Sequence, residues 1–185
     1  MIFHGAGNNS EGNWFPWLKK ELEKKGYSVW SPDLPHADVP ITRDWLDTVF
    51  NMSPFKIDND TILIGHSAGA TLILRILEKL PKQIQIHKAF LVAGPCNIGT
   101  IEAFFPYKKD LTKDPFQWDK IKQSCKKFYF YCSDNDPYEC GIDQSAMFQK
   151  HLGGEILLRV GEAHFNLEKG PQYKKFPELL EKILE

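Results

Sequence analysis

The sequence predicts an α/β fold of three layers: an open sheet of about six mostly parallel strands with helices on both faces. Short runs rich in β-branched, aromatic and aliphatic residues recur along the 185 residues with helix-length segments between them, and such alternation implies parallel strands. The central runs Ile62-Leu63-Ile64 and Phe90-Leu91-Val92 are apolar without alternation, as expected of strands buried on two sides. The segments between them place apolar residues at helical spacing with charges interleaved.

Taken in order, Met1 to His4 reads as the first strand. Trp14, Trp17, Leu18 and Leu22 then mark an amphipathic helix that Gly26 stops. Tyr27 to Ser31 is the next strand run, and Trp45 to Phe50 the next helical pattern. Thr61 to Gly65 is the central strand, followed by a helix from Ala70 to Leu80 that ends at Pro81. Lys88 to Ala93, Lys127 to Cys132 and Glu155 to Val160 complete the strands. Pro115 to Gln123, Ile142 to Leu152 and Tyr173 to Leu184 show the spacing of covering helices. The stretch 94–112 breaks the alternation with Gly94-Pro95, Gly99 and Ala103-Phe104-Phe105-Pro106. A connection this long in a compact domain is often functional, and we read it as a minimal lid loop over the site, with ordinary core packing of its aromatics as the alternative.

The length fits one domain spanning 1–185. Lys plus Arg number 23 against 24 Asp plus Glu, and the short lysine pairs lie beside acids, so neither nucleic acid nor an anionic membrane is an expected partner. Cys96, Cys125, Cys132 and Cys140 show neither C-x-x-C nor metal-type spacing, which points to free thiols in a reducing compartment. The chain starts directly on a strand run, and no apolar stretch reaches membrane-spanning length, so a cytoplasmic protein is expected.

Gly65-His66-Ser67-Ala68-Gly69 lies between the central strand and a helix, the setting in which G-x-S-x-G forms a nucleophile elbow. The flanking glycines clear space where strand and helix nearly touch, and the turn lifts the serine hydroxyl toward the N-terminus of the helix. A serine hydroxyl needs a base, and the base needs an orienting acid. Catalytic groups in open α/β sheets follow the carboxyl ends of strands, which leaves His164, after the last strand run, as the natural base. The acid belongs between serine and histidine in chain order, and Ser133-Asp134-Asn135-Asp136-Pro137 offers two aspartates, of which Asp136 is preferred to Asp134. Oxyanion donors are expected from the Ala68 N–H and from the loop His4-Gly5-Ala6-Gly7, with Ala6 as second donor and His4 bracing the loop. Gly5-Ala6-Gly7 lacks the third glycine of a dinucleotide fingerprint, and neither metal nor organic cofactor is required. Trp14, Trp17, Phe105, Phe116 and Trp118 are candidates for an apolar pocket or for core, and His36 for the pocket rim.

These residues, with Pro32-Asp33-Leu34-Pro35, Phe116-Gln117-Trp118 and Ala163-His164-Phe165, resemble the small retinoblastoma-binding-protein-9 and YdeN-like serine hydrolases along nearly the whole chain. The resemblance implies a reduced α/β-hydrolase core with little lid, and it places nucleophile, acid and base on Ser67, Asp136 and His164. The L-x-C-x-E pattern is absent, so pocket-protein binding is not carried over. Hydrolysis of a small carboxylic ester through an acyl-enzyme is the expected activity. The same groups would serve a small-amide hydrolase or an acyltransferase, and a binding module on a hydrolase scaffold is the reading from another class.

Overall fold

The computed structural model describes all 185 residues and contains five parallel strands: β1 (Ile2–Phe3), β2 (Ile62–His66), β3 (Ile86–Val92), β4 (Cys125–Ser133) and β5 (Glu155–Arg159). They lie in sequence order, β1-β2-β3-β4-β5, across one sheet. The register sets Ile64 beside both Ile2 and Phe90, and Phe90 beside Tyr129. Seven α-helices connect them: α1 (Phe15–Lys24), α2 (Thr42–Met52), α3 (Ala68–Lys79), α4 (Phe105–Thr112), α5 (Trp118–Gln123), α6 (Ile142–Leu152) and α7 (Pro177–Leu184).

Successive residues of a strand point to opposite faces, and this divides the core into two layers. Ile2, Ile64, Phe90 and Tyr131 pack with Phe15 and Leu18 of α1 and Leu179 and Ile183 of α7. Phe3, Leu63, Leu91 and Phe130 pack on the other face with Trp45 of α2, Leu72 of α3 and Phe148 of α6. Helix α3 is buried from Ala68 to Glu78, as a helix sandwiched between the sheet and further helices must be. Its one buried cation, Arg75, is paired with Glu78 at 3.0 Å and donates from Nε and Nη2 to the carbonyls of Leu111 and Asp114. Arg75 therefore ties the end of α4 to the helix that follows Ser67.

Five strands form where six runs are expected. The Tyr27–Ser31 run lies along the outer edge of β1, where Trp30 O accepts the Ile2 N–H at 2.9 Å, but no ladder develops because β1 offers only two residues to pair with. The stretch 94–112 is not a loop throughout: a 3₁₀ turn at Glu102–Phe104 leads into α4, whose first turn contains Pro106, a position that needs no N–H donor. The last helical pattern is broken before Pro177 into a 3₁₀ turn at Pro171–Lys174 and α7. No helix is long and apolar enough to cross a membrane.

Candidate active site

β2 enters the elbow at His66, and Ser67 adopts φ 54°, ψ −124°, a conformation that side chains rarely tolerate. The surroundings hold it there. Ser67 N–H donates to Val92 O at 2.8 Å, and Ser67 O accepts from Ala70 N–H at 2.9 Å. The two glycines of the elbow are sterically required: a Cβ on Gly65 would lie 2.4 Å from Gly69 O, and one on Gly69 would lie 2.4 Å from Phe3 O. The half-buried Ser67 side chain opens onto a cavity of about 240 Å³ at the carboxyl ends of the strands. Gly5 to Asn8, Pro95, Phe104, Tyr107, Lys108, Tyr138 and His164 are among its walls.

His164 follows β5 and reaches the same cavity, with its side chain 6 % exposed. Its Nδ1–H donates to Asp136 Oδ2 at 2.7 Å, so Nε2 is the ring nitrogen left with a lone pair. The Asp136 side chain is sealed from solvent, and its second oxygen accepts the N–H groups of Tyr138 at 2.8 Å and Cys140 at 3.3 Å. Asp134 turns elsewhere and accepts the Gly161 N–H at 2.7 Å. Beside it, Ser133 Oγ accepts from Glu162 N–H at 3.0 Å and Asn135 Oδ1 from Ala163 N–H at 2.8 Å. The turn after β4 thus grips three consecutive amides of the loop that presents His164.

Ala6 and Ala68 both line the cavity beside Ser67. The Ala6 N–H donates to no group of the protein, and Ala68 is the first residue of α3, where helices leave their N–H groups free. His4 fixes the Ala6 loop: its Nδ1–H donates to Gly5 O and its Nε2 accepts the Leu34 N–H, both at 2.8 Å. Burial pulls the His4 pKa below its ordinary value, keeping it in this neutral tautomer.

The aromatic residues expected around the pocket are elsewhere. Trp14 is fully buried in the core and donates from Nε1 to Phe165 O at 3.0 Å. Trp17 packs against the same core layer, His36 is exposed on its loop, and Phe105 is turned away from the cavity. Phe116 lies under the Arg75 guanidinium, 3.9 Å from its centre, and Trp118 stacks on His151. Aromatic side chains serve core and pocket equally well, so spacing alone misplaced them.

The walls that composition did not reveal come from the stretch 94–112 and the turn after β4. Tyr138 packs edge-on against the His164 ring, Phe104 against Tyr138, and the Tyr138 hydroxyl donates to Glu168. Burial and Glu168 push the Tyr138 phenol up to about 12. Glu139 pins the stretch 99–101, accepting from the Thr100 N–H and hydroxyl and from the Ile101 N–H, with the Lys108 ammonium 3.7 Å away. Asp136, Cys140 and His164 place donor atoms within 4.8 Å of one another, but the carboxylate is already saturated by N–H groups and burial holds the Cys140 thiol well above its usual pKa. That donor set fits a hydrogen-bonded carboxylate–imidazole pair better than a metal.

The chain matches the family described as Serine hydrolase over residues 1–184. It is 30 % identical to YdeN of Bacillus subtilis over 165 residues, 84 % of each chain, and 28 % identical to rat serine hydrolase RBBP9 over 146 residues, 73 % of this chain and 69 % of that one. The crystal structure of the ydeN gene product superposes with a TM-score of 0.89 over 99 % of this chain and 95 % of its own, at 25 % identity. The methylesterase protein MES16 of Arabidopsis, 15 % identical, shares the fold with a TM-score of 0.66 over 99 % of this chain and 96 % of its own.

Proposed function

The chain belongs to the serine hydrolase family, and from that premise we propose that it hydrolyses small carboxylic esters with Ser67 as nucleophile, His164 as base and Asp136 as the acid that orients it. The observation that carries this reading is the 2.7 Å bond from His164 Nδ1–H to a sealed carboxylate, in a cavity that His164 shares with the strained Ser67. Ser67 Oγ attacks the ester carbonyl and its proton passes to His164 Nε2. Asp136 stays ionised and stabilises the imidazolium. Negative charge on the carbonyl oxygen is met by the Ala6 and Ala68 N–H groups, helped by the N-terminal end of α3. The leaving alcohol takes the proton from Nε2, and water, deprotonated by the same nitrogen, then releases the acid. No step calls for a cofactor. The modest cavity, half polar in its walls, suits a small substrate. The four unpaired cysteines suit a reducing cytoplasm.

A fluorophosphonate probe is expected to label Ser67. Hydrolysis of p-nitrophenyl acetate should fall by about 10³-fold or more in Ser67→Ala, and by a similar factor in Asp136→Asn, which presents the wrong hydrogen-bond partner to His164. Labelling at another residue, or undiminished turnover in Ser67→Ala, overturns the assignment. Faster cleavage of a matched amide than of the ester would overturn the substrate class alone.

A further inference from the structure

We propose that His66, the residue before the elbow serine, is a positioning residue: it holds the loop of His164 in its working conformation through a backbone hydrogen bond. The inference rests on the assignment of His164 as base and adds to it a residue that borders the same cavity yet acts through the placement of another side chain.

The loop that carries His164 is strained on both sides. Ala163 has φ 48° and Phe165 φ 52°, and a bulky residue such as phenylalanine enters that region only when its surroundings compel it. From the sheet side, the turn after β4 holds the N–H groups of Gly161, Glu162 and Ala163. From the opposite side, two buried rings hold the next two carbonyls: His66 Nε2–H donates to His164 O at 2.8 Å, and Trp14 Nε1–H to Phe165 O at 3.0 Å. Donors and acceptors on five consecutive residues are thereby fixed by side chains that come from three distant parts of the chain.

His66 is an odd choice for a core position unless that bond matters. The residue is 3 % exposed, and its ring lies among Trp14, Phe15 and the His164 ring, whose centroid is 4.8 Å away. Its Nδ1 is buried with no partner. An unpaired buried nitrogen is unfavourable, and an apolar side chain of similar volume would avoid it. What the imidazole supplies and leucine cannot is the donor to His164 O. Because a carbonyl only accepts, Nε2 carries the proton, and the sealed Nδ1, with no acceptor for a second one, leaves the ring neutral, so His66 acts through the position of His164 and not as a second base. Without the bond the two left-handed residues relax, and a shift of the imidazole by about 1 Å is enough to slow a reaction roughly 10²-fold.

Three substitutions separate this role from packing. His66→Gln keeps an N–H donor at the same reach along Cγ–Cδ–Nε2; His66→Asn carries a donor one bond short; His66→Leu fills the space without one. The readouts are the rate of fluorophosphonate labelling at Ser67, kcat and KM for p-nitrophenyl acetate, and the low-field proton resonance of His164 Nδ1–H in the resting protein. The Leu and Asn variants are expected to lose at least about tenfold in labelling and kcat, with KM within about twofold, and to broaden the resonance. Gln should stay within about threefold of wild type on all counts and keep the resonance. If the Leu variant does not fold, the contrast between Asn and Gln carries the same comparison. Equal labelling of wild type and the Leu or Asn variants, or a Gln variant as impaired as those, overturns the positioning role. Wild-type protein that is not labelled at Ser67 overturns the triad instead.

Discussion

His66 also makes a residue-scale prediction about acid. Burial, with the nearby His164 charge adding to it, pulls its pKa down to about 3 from an ordinary 6.5. The unfolded chain therefore takes up a proton that the folded one refuses. A depressed pKa contributes stability that is complete above the unfolded value and is lost as the pH falls toward the folded one. By pH 5 that loss is about 2 kcal/mol, and it continues down to about pH 3. Urea unfolding at pH 7 and pH 5 should show this difference in wild type and a clearly smaller one in His66→Gln; equal losses would sink the idea. The strained turn at Ser67 and the pairing of Asp136 with His164 could be expected from the sequence because each is tied to a local pattern, the elbow or the turn after a strand. The use of His66 could not, since its partner is a carbonyl 98 positions away. The same holds for Tyr138 and Lys108: nothing in their neighbours tells that they wall a cavity.

Among the elements, the roof of the site depends on one side chain. Glu139 collects the donors of Thr100 and Ile101, which hold its carboxyl below the usual carboxylate range. The clamp is complete above that range and is lost as the pH drops through the lowered value. In Glu139→Gln the amides of 99–112 should exchange with deuterium at least about tenfold faster while Tm falls by no more than about 4 °C, because local opening does not require global unfolding. Unchanged exchange in that segment would rule out the clamp. Helix α4 escaped the sequence reading because its amphipathic pattern is faint: only Lys108 and Leu111 are buried along it. The strands of the centre were plain for the opposite reason. β2 and β3 bury both faces along most of their length, and a near-continuous apolar run between turn signals marks a strand covered on two sides.

Across the whole molecule, the two core layers are not independent, because neighbouring residues of one strand feed opposite layers. Leu63 and Ile64, or Leu91 and Phe90, cannot leave one layer without disturbing the other. Thermal unfolding followed by far-UV circular dichroism and by tryptophan fluorescence should therefore give coincident transitions, even though Trp14 reports on one layer and Trp45 on the other. Two separated steps would contradict the shared sheet. The layering and the parallel sense of the sheet followed from alternation and composition, whereas the strand count did not, since whether the Tyr27–Ser31 run pairs depends on how many residues β1 presents to it.

The order of the strands also bears on how the protein is made. Each of β2 to β5 pairs with the strand synthesised just before it, so a chain emerging from the ribosome adds every strand to an edge that already exists. The elbow is complete once β3 is out, because Val92 O accepts the Ser67 N–H, but His164 lies beyond the fifth strand. A chain that has emerged only as far as the fourth strand can thus hold Ser67 in its turn before the loop that carries His164 exists.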